Sequence, residues 1–194
     1  MTKSIDFYFD FISPYSYLAI HKLKTFKNYE DISINYKPIL LGGLHNLGGI
    51  TAPAFNERKL KNMKFDCNLI AKKNNIPFIW NTKFPINSLY LMRGYLIIKD
   101  DLKKKYFDVC FDAYWKNNID IADEKNIDSI LETVGQDKIE FIDGIKDTKT
   151  KEKLKRETKN AFEIDIFGAP TFVVNNKIFW GQDRLNYAID EYNS

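Results

Sequence analysis

Cysteine is scarce in this chain. Cys67 and Cys110 are the only two in 194 residues and stand 43 positions apart. That excludes a disulfide framework and a Cys-x-x-Cys redox pair. Both fall in stretches of helical apolar spacing, so two buried free thiols are expected. Histidine is equally sparse: His21 and His45 are far apart with no ligand cluster around them, and no metal site is expected. A net charge of +3 is too small to imply nucleic acid or an acidic membrane as partner. No apolar run reaches the roughly 18–20 residues of a spanning helix. Asp6 and Asp10 interrupt the apolar N-terminal stretch and no small-residue cleavage site follows, so no signal peptide is expected and the protein is read as cytoplasmic. Gly42-Gly43 and Gly48-Gly49 lack the lysine spacing of a P-loop and the context of a dinucleotide fingerprint. They read as a mobile loop.

What is present is apolar and aromatic. At 15% aromatic residues the chain has material for a well-filled core or an aromatic-lined pocket, for which Trp80, Phe84, Tyr90 and Trp115 are candidates. Residues 4–11 alternate, with Ile5, Phe7, Phe9 and Phe11 on one face, which predicts a strand. Residues 14–27 read as a helix and 32–40 as a second strand, and that order implies a parallel βαβ unit. Helical segments follow at 55–74, 86–99, 102–117, 125–134 and 138–144, with Pro77 and Pro85 marking breaks. Residues 148–165 form a highly charged helix whose lysines read as a solvated face. Thr171–Val174 and Lys177–Trp180 flank Asn175-Asn176 as a hairpin, and a last helix covers 182–192. The order βαβ, helices, then αββα predicts an α/β thioredoxin-like fold with a large all-helical insertion. Residues 1–45 and 148–194 would form the thioredoxin-like domain and 46–147 the insertion.

Between the first strand and first helix stands Ser13-Pro14-Tyr15-Ser16. Pro14 suits a first helical turn, where its missing N–H costs nothing, and Ser13 falls at the N-cap. This is the strand–turn–helix site at which thioredoxin-like proteins carry Cys-x-x-Cys, here with serine at both cysteine positions. The helix end still favours an anion, but no disulfide can cycle there. Gly168-Ala169-Pro170-Thr171-Phe172 reads as a cis-proline turn entering a strand.

A series of segments, in order, resembles bacterial 2-hydroxychromene-2-carboxylate isomerases and the related kappa-class glutathione transferases, both DsbA-type thioredoxin-fold proteins. The segments are Asp6–Ala19, Pro38–Gly43, Arg58-Lys59 with Asp66, Phe84–Ser88 with Met92-Arg93, Ala113–Trp115 with Asp120–Asp123, Phe167–Phe172 and Phe179–Leu185. The resemblance implies glutathione as cofactor and a small aromatic or conjugated carboxylate as substrate. It implies that Ser13 hydrogen-bonds the glutathione sulfur and favours its thiolate, and that the thiolate adds reversibly to a conjugated carbon so that the double bond can rotate. Ala169, before a cis Pro170, would pair with the cysteinyl backbone. Gln182 and Asp183 would hold the γ-glutamyl end, and Lys59 would face a carboxylate of glutathione or substrate. Where the family often has an Asn, this chain has Ile50, with Asn46 or Asn56 as candidate stand-ins. Ser16 reads as a structural helix serine and Arg184 as a brace. The resembled proteins are commonly dimers, so a homodimer is expected. Two alternatives stand beside the isomerase: a kappa-like glutathione transferase or peroxidase acting on other electrophiles, and a non-enzymatic thioredoxin-fold binding module.

Overall fold

The structure, a computed structural model, describes residues 3–194. Strand β1 (Ile5–Phe9) pairs parallel with β2 (Ile34–Pro38), Phe7 opposite Tyr36, and helix α1 (Pro14–Leu23) makes the crossover. Strand β3 (Thr171–Val174) runs antiparallel to β1, Phe7 opposite Phe172, and β4 (Lys177–Trp180) runs antiparallel to β3. The sheet order is β2-β1-β3-β4. The β3–β4 turn closes on Asn175 and Asn176 at φ 49° and 62°, the left-handed conformation that a two-residue hairpin loop demands and asparagine tolerates.

Between β2 and β3 lie α2 (Leu41–Leu47), α3 (Glu57–Lys73), α4 (Leu89–Ile97), α5 (Asp100–Trp115), α6 (Glu124–Val134), α7 (Lys138–Lys146) and α8 (Thr148–Glu163). Helix α9 (Leu185–Asn193) closes the chain. Several starts are written locally: Asn56, Asp123, Asp137 and Asp147 each accept backbone N–H bonds as N-caps of α3, α6, α7 and α8. Helix α1 stops at Leu23 rather than reaching residue 27, because the Thr25 and Phe26 N–H groups close tight turns onto Lys22 and Leu23 carbonyls. Among the described residues no helix is long and apolar enough to cross a membrane.

The expected glycine loop is a helix. Gly42 and Gly43 each cost roughly 1 kcal/mol in a helix interior relative to alanine, yet tertiary contacts hold α2 in place. The Leu40 N–H donates to Thr158 Oγ1 at 2.9 Å and the Leu41 N–H to Asp10 Oδ2 at 2.8 Å. A Cβ on Gly43 would meet Thr158 Cγ2 at 3.6 Å, so α2 lies flat against α8.

The core forms along β1. Phe7, Phe9 and Phe11 are fully buried. Phe9 meets Phe107 and Phe11 meets Phe111, both from α5, edge to face with ring centroids 4.9 Å apart. Trp115, a candidate pocket wall, is instead core: it is 0% exposed and its Nε1–H donates to the Phe11 carbonyl at 2.9 Å. Trp80 and Phe84 pack on it, while Tyr90 is half exposed. Tyr8 points to the opposite face of the sheet, joining Ile39, Leu44, Ala161 and Ile166 under α2 and α8.

Candidate active site

Ser13 is the N-cap of α1, with Pro14 at the first helical position. Its N–H donates to the Asp10 carbonyl at 3.0 Å, and its Oγ accepts the Ser16 N–H at 3.1 Å. The hydroxyl proton goes to the Ala169 carbonyl at 2.9 Å. Two segments 156 residues apart thus meet at one serine. The Ala169–Pro170 peptide is cis. Ser16 is fully buried and its Oγ finds no partner.

The turn after β4 docks on the same place. The Gly181 N–H donates to the Pro170 carbonyl at 2.9 Å. Gly181 has φ 109°, and a Cβ there would lie 2.5 Å from Asp183 Oδ1, so only glycine fits and the Asp183 carboxylate folds back over it. Gln182–Arg184 form a single 3-10 turn against α1. Arg184 Nε lies 3.3 Å from Asp183 Oδ2, and its guanidinium stands 5.6 Å from the Tyr187 ring, a bracing position. Ser13, Ala169, Pro170, Gln182 and Asp183 therefore gather at the carboxyl end of β1.

Lys59 lies in the first turn of α3. It lines a cavity of about 420 Å³ with Tyr15, Pro53, Arg58, Asn62 and Met63. Tyr15 belongs to the Ser13–Ser16 turn, so the cavity opens beside the start of α1. The Tyr15 hydroxyl donates to Asp66 Oδ2 at 2.8 Å. Burial, then the nearby Cys67 and Asp66, push its phenol well above the ordinary tyrosine range, and it stays a neutral donor. The sequence singled out Lys59 for a ligand, with Arg58 as its chain neighbour; helix α3 adds Asn62 and the fold adds Tyr15. Ile50 packs its side chain on Gly48, and Asn56 spends its Oδ1 on the Lys59 N–H as the α3 cap.

Two features escaped the sequence reading. Phe167 and Trp180 pair at 4.8 Å between centroids, 43% and 52% exposed, with the indole nitrogen 2.6 Å from where a Gly168 Cβ would stand. They make an apolar shelf next to Ala169. The second is Asp10, read only as an interruption of the apolar stretch. It is fully buried, its Oδ1 accepts the Ile12 N–H at 3.1 Å and its Oδ2 accepts the Leu41 N–H. An acid two positions before an acceptable turn N–H was the available signal.

The cysteines stand apart from this chemistry. Both are buried and free. Burial pushes the Cys67 thiol up to about 12 and raises Cys110 as well, so both remain protonated and poor nucleophiles.

The residues present fit a thiol peptide bearing two carboxylates and an ammonium group. A serine hydroxyl stands at a helix N-terminus against Ala169, a carboxylate lies in the turn that follows Gly181, and two cations line a cavity that includes Tyr15.

The family model described as a DSBA-like thioredoxin domain matches residues 4–193. The 2-hydroxychromene-2-carboxylate isomerase of Sphingobium xenophagum is 30% identical over 189 residues, covering 96% of this chain and 96% of that protein. Glutathione S-transferase kappa 1 of Caenorhabditis elegans is 26% identical over 205 residues, covering 96% of this chain and 89% of that one. A solved structure of a 2-hydroxychromene-2-carboxylate isomerase superposes with a TM-score of 0.88 at 26% identity, covering 97% of this chain and 94% of the other.

Proposed function

Because the chain belongs to the 2-hydroxychromene-2-carboxylate isomerases of the DSBA-like thioredoxin family, and is an isomerase by that membership, we propose that it works with glutathione on a small aromatic or conjugated carboxylate. The observation that carries this reading is the meeting of Ser13, Ala169 and the Gln182–Asp183 turn at the N-terminus of α1. Glutathione, when bound, supplies a thiolate that adds reversibly to a conjugated carbon and so permits rotation about it.

The protein's own groups prepare that sulfur. Ser13 is its hydrogen-bond donor, with the proton it otherwise lends to the Ala169 carbonyl. The dipole of α1 adds about half a positive charge at its N-terminus. A thiol ionises near pH ~8.5 in water, and both effects lower that value. The Ala169 backbone pairs with the cysteinyl unit in the manner of an added strand. Asp183, with Gln182, receives the γ-glutamyl ammonium. Lys59 holds a carboxylate, with Arg58 beside it. Phe167 and Trp180 offer an exposed apolar surface to an aromatic substrate. The reading is of a cytoplasmic homodimer, which sedimentation checks.

The likeness to a protein named glutathione S-transferase kappa 1 favours a second reading, transfer to other electrophiles through the same site. Calorimetry at millimolar glutathione tests both: no binding overturns them and leaves a binding module. Turnover of 2-hydroxychromene-2-carboxylate to its open trans isomer then separates them. Isomerisation that proceeds equally without glutathione overturns the first reading, and a stable conjugate as product favours the second.

A further inference from the structure

We propose that Asp10 is the positioning residue for Ser13: its carboxylate locks the turn that aims the serine hydroxyl and ties that turn to the starts of α2 and α4. The inference rests on the reading of Ser13 as the sulfur's hydrogen-bond donor.

Asp10 is 0% exposed. A buried carboxylate is costly unless its oxygens are met. Among the described residues no cation pairs with it; its hydrogen-bond donors are the Ile12 N–H at 3.1 Å and the Leu41 N–H at 2.8 Å, and the Ser88 hydroxyl lies beside it. Burial drives the carboxyl above the ordinary aspartate value, and these bonds oppose that rise.

Each bond has a geometric result. The Asp10 carbonyl takes the Ser13 N–H at 3.0 Å while Oδ1 takes the Ile12 N–H, so residues 10–13 close on themselves. Ser13 leaves that turn at φ −81° and ψ 111°, its Oγ against Ala169. Oδ2 bonds the first N–H of α2, whose own N-cap, Leu40, has no side-chain acceptor. Ser88, at the start of α4, makes no cap bond to its own helix and lies against Asp10 instead. One carboxylate thus fixes the catalytic turn relative to two helices.

Two acceptor oxygens are needed at once. Asparagine has nearly the same shape but offers one acceptor and one donor. Asp10→Asn therefore turns an NH₂ toward either Ile12 or Leu41. We expect the thiol of bound glutathione, followed by thiolate ultraviolet absorbance, to ionise about one pH unit higher in Asp10→Asn, a tenfold smaller thiolate fraction below that range. In a Ser13→Ala background the same substitution moves nothing further. An unchanged titration, or an equal shift with and without the Ser13 hydroxyl, overturns the proposal. Should wild-type protein bind no glutathione, the reading of Ser13 fails, and amide exchange in the ligand-free protein decides the rest. Faster exchange at Ile12 and Ser13 in Asp10→Asn supports the lock; unchanged exchange overturns it. If Asp10→Asn does not fold, Ser88→Ala keeps both backbone bonds and serves as the milder probe. It shifts the thiol in the same direction by less, and no shift overturns the proposal.

Discussion

Ser13→Ala separates two roles that one hydroxyl now combines. The substitution removes one of two acceptors of the Ser16 N–H, leaving the Ser13 carbonyl, and the donor to the Ala169 carbonyl. Loss of an N-cap costs about 1 kcal/mol, and a carbonyl stripped of its donor in a mostly buried setting costs about 1–3 kcal/mol. A combined loss of about 2–4 kcal/mol lowers the melting temperature of a chain this size by roughly 4–16 °C. The chemical effect is independent of that sum. A hydrogen bond to a charged sulfur is worth about 1.5–3 kcal/mol, and at 1.36 kcal/mol per unit the thiol of bound glutathione rises by about 1–2 pKa units. The assay is titration of the thiolate absorbance with glutathione saturating, beside a thermal melt. Ser13→Gly is the control, because glycine at an N-cap loses only a few tenths of a kcal/mol. It should reproduce the titration shift with a smaller fall in stability. The single proton of Ser13 Oγ makes the test sharp. If the thiol titrates as in wild type in both variants, the hydroxyl stays on Ala169, Ser13 is a cap and nothing more, and the sulfur is held by other means.

Lys59→Gln and Arg58→Gln should each weaken glutathione binding roughly 3–10-fold, more at low salt, because both side chains are exposed and screened. Stability should stay within about 0.5 kcal/mol, and salt-independent calorimetry would refute an ionic role. Neither Cys67 nor Cys110 should react with a thiol reagent at pH 8 in the native protein, since burial holds both thiols protonated far above that pH. Both should react once denatured, and rapid native labelling would contradict the burial. Gly94→Ala should cost at least about 1–3 kcal/mol in denaturant melts, because a Cβ there would collide with the buried Tyr106 hydroxyl and Phe141 ring.

The strands were legible because β1 alternates cleanly and the hairpin carries Asn-Asn where positive φ is required. Helices α5, α6 and α8 were legible by spacing and caps. Helix α2 was not, since its stability comes from Asp10 and Thr158, one of them more than a hundred residues away, and local propensity opposed it. Trp115 was ambiguous because nothing local distinguishes a core indole from a pocket wall; its partner is a carbonyl on β1's continuation. Ser13 announced itself by its place between strand and helix. Lys59 and Asp183 did not: they came from family resemblance, and only folding adds Tyr15 beside Lys59 and pairs Phe167 with Trp180. Asp10 shows the limit most plainly, for a buried acid flanked by phenylalanines looks like a flaw until the Ile12 and Leu41 N–H groups that meet it are seen.

The bond from Trp115 to the Phe11 carbonyl carries a consequence for how this molecule can change over time. The helices between β2 and α8 separate the two strand pairs of the sheet in the chain. Here one of them, α5, supplies the rings beneath β1 and a donor two residues ahead of Ser13. Trimming it away would strip Phe9 and Phe11 bare and free the backbone on which the serine turns. Drift in α5 therefore reaches the chemistry from below, and the helices and the serine must be inherited as one piece.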